Sequence, residues 1–353
     1  MHIAFLTLSS WEQNAAWLRP QALGHALAEM GHDVSYVVDD RTYNRQQLQL
    51  HPDANVVYVA RPDTLSQLRT RRQAVARLAP DWLYVCNAHA KTFAALALRR
   101  SLRIVGQWDE PPMLKAWPVP RRQLEALLDR WLARRADRSV VCARALQPWF
   151  AERYGVRPPY LPHAAYLNGS GATRRSPFAE PTAVYLGSFW QEWDHDLIFE
   201  AARLLAADGR RPRICLVGAG GELERWRAFA AAHGLDNVAF AGWLEGEDLM
   251  AHLRGAHVNL FPIRDTLVNR TRCPSKLFAY AQAQRPVITN RVGEVPYVLG
   301  EKAQYVNADA AAFSEAIDAA LRAPRPDDVG FDLGHLRYET RARELIELLE
   351  AAS

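Results

Sequence analysis

Short apolar runs alternate with longer segments of helical period along the chain. "HIAFLTL", close to the N-terminus, reads as a buried strand, because strands covered on both faces lack polar alternation. "RPQALGHALAEMGH" then reads as a helix. Pro20 suits its first turn, Leu23, Ala26, Leu27 and Met30 form the apolar stripe, and Gly31 suits the C-terminal cap. "DVSYVV", "NVVYVA", "WLYVC", "RIVGQW" and "SVVCA" are further strands, separated by helical segments such as "RRQLEALLDRWLARRAD". The pattern breaks at Leu167–Pro181, "LNGSGATRRSPFAEP", which is rich in Gly, Ser and Pro and has no apolar period. It restarts with "AVYLGS", "RICLVG", "NVAFAG", "HVNLFP", "RPVIT" and "AQYV", again with helical segments between.

Strand–helix alternation of this kind predicts mostly parallel sheets with helices on both faces. The expected architecture is α/β, with two tandem Rossmann-like domains at 1–166 and 182–330 and a linker at 167–181. The tail, 331–353, holds an amphipathic helix with Leu336, Leu345 and Leu348 among its apolar positions. A length of 353 residues also suits two domains at about 150 residues each. In doubly wound sheets ligands lie beyond the carboxyl ends of the strands, so two facing domains predict a site in an interdomain cleft.

Composition narrows the classes. Hydrophobic residues make up 49% and charged residues 23%, as in a soluble globular protein. No run approaches 18 apolar residues, and the N-terminus lacks a basic region and a cleavage site, so neither a spanning helix nor a signal peptide is expected. Cys86, Cys142, Cys215 and Cys273 are widely spaced, which predicts a reduced, cytoplasmic protein without structural zinc. The net charge of +4 is uneven. Residues 1–165 hold 22 Lys and Arg against 14 Asp and Glu; the remainder hold 21 against 25. The first half is therefore expected to meet something anionic, such as a membrane surface or a phosphorylated substrate; the alternative is ordinary Arg-rich surface. Nucleic acid is not expected, since the basic residues come without a recognition module.

Two motifs carry candidate chemistry. "LVGAGGELERW" places Gly218, Gly220 and Gly221 between a strand and a helix. The third glycine is misplaced for a dinucleotide fingerprint, so a tight turn with close backbone approach is the better reading. "FPIRDTLVNRTRCPSKLFAYAQAQRPVIT" predicts a helix starting at Pro274, with Arg270, Arg272 and Lys276 around its start. Cations there oppose the helix dipole, and a bound anion removes the conflict. Phosphate or diphosphate is the natural candidate.

At this point the chain resembles the GT-B glycosyltransferases, specifically glycosyltransferase family 4, the group 1 retaining enzymes. The resemblance rests on "GHDV" after the first helix, "LVGAGGE", "VAFAGWLEGEDLMAHLRGAHVNLFP" and "CPSKLFAYAQAQRPVITNRVGEV" in order, covering about Ala183–Val306, with the first domain matching in outline. It implies sugar transfer from a nucleotide-diphosphate sugar, UDP-sugar favoured over GDP-sugar, with retention at the anomeric carbon. It implies no metal or other cofactor, since protein cations and helix N-termini neutralise the leaving diphosphate. The acceptor would be a glycan, a lipid-linked sugar or a small molecule, and the last helix would cross back onto the first domain.

The resemblance also assigns residues. Donor binding falls to Lys276, Arg272, Arg270, Asn269, Thr271, Gly187, Ser188 and Glu294, with the base read around Trp243 and Leu244. Asp109 stands where the family has a histidine; Glu110 beside it and His89 in "CNAHAKT" complete the catalytic candidates. Trp11, Asn14 and Arg19 in the first loop, and His163 in "LPHAAY", are the acceptor candidates, with Trp108, Trp190 and Trp193 expected on comparable loops. Counting Asp109 in place of that histidine, three departures stand out. Thr271 and Ala279 occupy the positions of the two family glutamates, and "GSFWQEWDHD" puts Ser188 and Trp193 in place of an Arg and a Lys. These departures keep two alternatives in view: a related chain that binds nucleotide sugar without catalysis, and a nucleotide-sugar epimerase.

Overall fold

The structure is a computed structural model and describes residues 1–7, 18–48, 54–60, 64–86, 102–109, 118–165, 174–190, 193–326 and 328–351. The chain divides into two compact units. The first comprises Met1–Ala164, Thr271–Cys273 and Arg337–Ser353; the second comprises Ala165–Arg270 and Pro274–Leu336.

The first unit is built on six parallel strands: β1 (His2–Leu6), β2 (Asp33–Asp39), β3 (Asn55–Val59), β4 (Trp82–Val85), β5 (Arg103–Trp108) and β6 (Arg138–Val141). Their order is β3-β2-β1-β4-β5-β6, so the winding reverses between β1 and β4. Among the described residues its helices are α1 (Leu18–Glu29), α2 (Thr42–Leu48), α3 (Thr64–Leu78), α4 (Val119–Arg135) and α5 (Leu146–Tyr154). All four residues of β4 are buried, whereas β3, at the edge, is only half-buried. That contrast is the physical reason central strands read as unbroken apolar runs.

The second unit repeats the plan. Its strands are β7 (Thr182–Leu186), β8 (Arg213–Val217), β9 (Val238–Gly242), β10 (Val258–Phe261), β11 (Val287–Thr289) and β12 (Gln304–Tyr305), in the order β12-β11-β10-β7-β8-β9. The winding reverses between β10 and β7. Its helices are α6 (Asp196–Ala207), α7 (Leu223–Ala232), α8 (Gly246–Gly255), α9 (Leu267–Arg270), α10 (Lys276–Ala283), α11 (Val295–Leu299) and α12 (Ala310–Arg322). Leu197, Ile198, Ala201 and Leu205 of α6 pack with Phe313 and Ile317 of α12 in one apolar core. Phe199 stacks on Trp226 with ring centroids 4.5 Å apart. The final helix, α13 (Tyr338–Glu350), packs against α1 within the first unit, and Arg138 Nε donates to the Leu348 carbonyl at 3.0 Å.

All twelve strands among the described residues fall on the predicted runs, and both sheets are doubly wound. Local details differ. Gly31 takes a positive φ of 84° after α1, as its capping role requires. Met30 is not in the core: it lies past the last helical residue and is 41% exposed. The helix expected at Pro274 starts at Lys276, with Ser275 as its N-cap.

Candidate active site

In the second unit the candidate side chains gather where the winding reverses. Lys276 opens α10 in the connection after β10, and its ammonium faces the two central strands. Its Nζ lies 4.8 Å from the Tyr185 ring centroid on β7 and 5.2 Å from that of Phe261 on β10. It also donates to the Tyr185 hydroxyl at 3.4 Å. Aromatic faces attract the cation electrostatically and offset its conflict with the helix dipole.

Glycines make room for this arrangement. A Cβ on Gly187, the first residue past β7, would collide with the Lys276 ammonium and the Tyr185 hydroxyl. Gly218 and Gly220, past β8, hold φ of 141° and 156°. A Cβ on the former would strike the Gly187 carbonyl, and one on the latter the backbone of Phe189. The loops after β7 and β8 are also laced by backbone bonds, Gly187 N to Val217 O at 3.0 Å and Phe189 N to Ala219 O at 2.9 Å. Such close backbone approach needs glycine at each of these positions.

A charged network ties the loop after β7 to the loop after β10. Arg264 donates to Asp196 at 2.8 and 2.6 Å and to Asp194 at 3.0 Å. The second Asp194 oxygen accepts from the Arg264 backbone N–H at 2.9 Å and from Asn269 Nδ2 at 2.9 Å. Asn269 Nδ2 also donates to the Arg264 carbonyl at 2.8 Å. Between the two aspartates, His195 is buried against Phe189 and Trp226. Burial pulls its pKa down to about 4; Asp196 opposes this and Lys276 adds to it.

The first unit gathers a second group at the ends of its central strands. Asp109 directly follows β5, and both its oxygens accept from Gln107 Nε2, at 2.8 and 2.9 Å. His163 Nε2 lies 3.6 Å from Asp109 Oδ1. The His163 side chain is 12% exposed and that of Asp109 24%. Burial lowers the His163 pKa to about 4; Asp109 works against that and Arg19 reinforces it, so the ring is neutral at pH 7. Arg19, in the first turn of α1, is buried, and its Nη2 donates to the Tyr84 hydroxyl at 3.3 Å and the Leu161 carbonyl at 2.8 Å. Its Nε and Nη1 have no partner among the described residues. Burial penalises this charge, but Tyr84 and Asp109 outweigh the penalty and hold its pKa above the ordinary value.

Asp109, Cys142 and His163 bring one ligand atom each to within 4.8 Å of one another, a spacing that a metal ion could bridge. Burial raises the Cys142 thiol well above its usual range, and the sulfur donates to the Asp109 carbonyl at 3.3 Å. A protonated thiol used in this way fits a hydrogen-bonded cluster better than a thiolate ligand.

Family models match both halves of the chain: "Glycosyltransferase Family 4" over residues 21–161 and "Glycosyl transferases group 1" over residues 180–323. The chain belongs to the group 1 glycosyltransferases of GT-B fold. Solved structures agree on the fold. HepE from Anabaena, in complex with UDP-glucose, has a TM-score of 0.76 at 12% identity, covering 99% of this chain and 100% of its own. The pneumococcal O-GlcNAc transferase GtfA, in complex with UDP and GlcNAc, has 0.70 at 10%, covering 100% and 99%. A UDP-N-acetylglucosamine 2-epimerase candidate from Listeria monocytogenes also has 0.66 at 13%, covering 99% and 96%. No curated protein matches the chain at the sequence level.

The residues predicted for this glycosyltransferase divide into three groups. Lys276, Gly187 and Ser188 come together in the second unit, where Ser188 accepts from Trp193 Nε1 at 3.1 Å. Asn269 is buried in the Asp194 network, and Glu294 is buried at the start of α11. Trp243 follows β9 and donates through Nε1 to Glu245 at 2.8 Å, with Leu244 half-buried beside it. Arg270 points elsewhere: it is exposed and paired with Asp265. Thr271 and Arg272 are buried and belong to the first unit rather than with Lys276. Asp109, His163 and Arg19 come together in the first unit. Glu110, His89, Trp11 and Asn14 lie outside the described residues.

Trp108 corrects an expectation. It is the last residue of β5, only 2% exposed, and packs edge-on against Phe150 at 5.2 Å. It is a core residue because its ring folds back over Gly106, the small residue two positions earlier on the same face. The sequence reading missed Arg264, Asp194 and Asp196 as a unit. The signal was the acidic pair flanking His195 in "WDHD", set against the lone Arg264 after β10.

Proposed function

We propose that this glycosyltransferase moves a sugar from a UDP-sugar to a hydroxyl acceptor with retention of anomeric configuration and without a metal. It would work in the cytoplasm, in surface-glycan, glycolipid or small-molecule glycosylation. The observation that carries this reading is Lys276, held on the Tyr185 and Phe261 faces beside Gly187. An ammonium at that point, at the carboxyl ends of the central strands, suits the leaving diphosphate. The bond from the anomeric carbon to the diphosphate oxygen breaks, and a bond to the acceptor oxygen forms. The acceptor proton passes to the leaving diphosphate. Asp109, fixed by Gln107 and next to neutral His163, is the carboxylate that would orient the acceptor hydroxyl. UDP is favoured because structural neighbours hold UDP or UDP-glucose.

Ala279 favours a second reading, nucleotide-sugar binding without transfer, since it offers no side-chain acceptor for a ribose hydroxyl. One experiment separates the two. Thermal midpoints are measured with UDP, GDP, ADP, CMP, TDP and NAD, and release of the nucleoside diphosphate from its sugars is followed with an acceptor panel. Stabilisation by UDP together with its release supports the transferase. Stabilisation without release supports the binding reading, and no shift with any nucleotide contradicts both.

A further inference from the structure

Helix α4 turns the wrong residues outward for a soluble surface. An ordinary surface helix buries an apolar stripe and exposes its charges. Here Leu124, Leu127 and Trp131, at i, i+3 and i+7, are 54%, 65% and 40% exposed, and Val119 at the start of the helix is 52% exposed. The only carboxylates of the helix, Glu125 and Asp129, are buried. Arg121, Arg130 and Arg134 flank the exposed stripe. The outward face is therefore apolar along its centre, cationic at its margins and without an acid. It lies in the half of the chain that carries 22 Lys and Arg against 14 Asp and Glu.

We infer that this face of α4 docks onto an anionic lipid bilayer, lying in the plane of the interface. The leucines insert among the acyl chains, Trp131 sits at the headgroup level, and the arginines meet lipid phosphates. No described helix is long and apolar enough to cross a membrane, so the contact is peripheral. Charge selects this occupant over a second copy of the chain. A two-fold contact through the same face would set arginine against arginine. The inference does not depend on the transferase reading, and its test uses no nucleotide sugar.

The test is co-sedimentation of the full chain with phosphatidylglycerol–phosphatidylcholine vesicles and with pure phosphatidylcholine vesicles. The wild type should bind the anionic vesicles, with affinity lower by about tenfold or more on the neutral ones. The combined variant Leu124→Ser, Leu127→Ser, Trp131→Ser should lose binding by a similar factor. Acyl-chain-brominated lipids should quench wild-type fluorescence more than that of Trp131→Phe, a readout that survives if the triple variant folds poorly. Absent binding by the wild type, undiminished binding by a folded triple variant, or equal quenching would each overturn the proposal. So would a dimer that the triple substitution dissolves in a protein that ignores vesicles.

Discussion

In the proposed reaction, Asp109 is the residue on which the chemistry of the first unit turns. Gln107 fixes its carboxylate by two hydrogen bonds, and neutral His163 lies 3.6 Å away. Asp109→Asn keeps the shape and removes the charge. Turnover should fall by about 100-fold or more, with the thermal midpoint nearly unchanged. Steady-state kinetics and a melting curve on the same preparation check this; unchanged turnover would remove Asp109 from the mechanism. His163 beside it is a poor proton carrier at neutral pH, because burial holds it neutral. In the proposed reaction it shapes the Asp109 environment rather than shuttling protons.

At the scale of elements, the two reversal points position everything. In the second sheet β7 and β10 are neighbours whose chains leave in opposite directions, and their loops are stapled together by Arg264. Arg264→Ala leaves Asp194 and Asp196 facing each other without their cation. The expected loss is about 1–2 kcal/mol in urea unfolding, discounted because Arg264 is 38% exposed. Arg264→Lys should recover only part of it, since an ammonium cannot fork between two carboxylates. Full recovery by lysine would show that charge alone matters.

The elements were legible in the sequence because parallel strands buried on both faces must be apolar throughout, and each of the twelve predicted runs forms one. The proposed anion site was legible in part. Lys276 shows as a cation at a helix start, but its aromatic seat comes from Tyr185 and Phe261, 91 and 15 positions away, and no local pattern links them. Arg270 and Arg272 look equivalent to Lys276 in the sequence. Asp265 takes the first, and the second is buried with the other unit. Trp108 misled for a similar reason: a tryptophan at a strand end resembles a loop residue until the glycine beneath its ring is considered.

At the scale of the molecule, pH should act through two buried histidines, one in each unit. Both have folded pKa values near 4, below the unfolded value of 6.5. The folded state resists protonation that the unfolded chain accepts. Stability is therefore complete above pH 6.5 and is lost as pH falls from there toward 4, by up to about 3 kcal/mol for each group. Thermal midpoints at pH 7 and 4.5 measure the effect. The double variant His163→Gln, His195→Leu should show a clearly smaller drop, and an equal drop would place the acid sensitivity elsewhere.

The central claim is that the second unit holds a nucleoside diphosphate through Lys276. Calorimetric titration of UDP into the wild type and into Lys276→Ala tests it most directly. The wild type should bind, and the variant should bind roughly 10- to 100-fold more weakly while melting at nearly the same temperature, as expected for loss of a charge-assisted contact. Equal affinity of the two proteins for UDP would contradict the account.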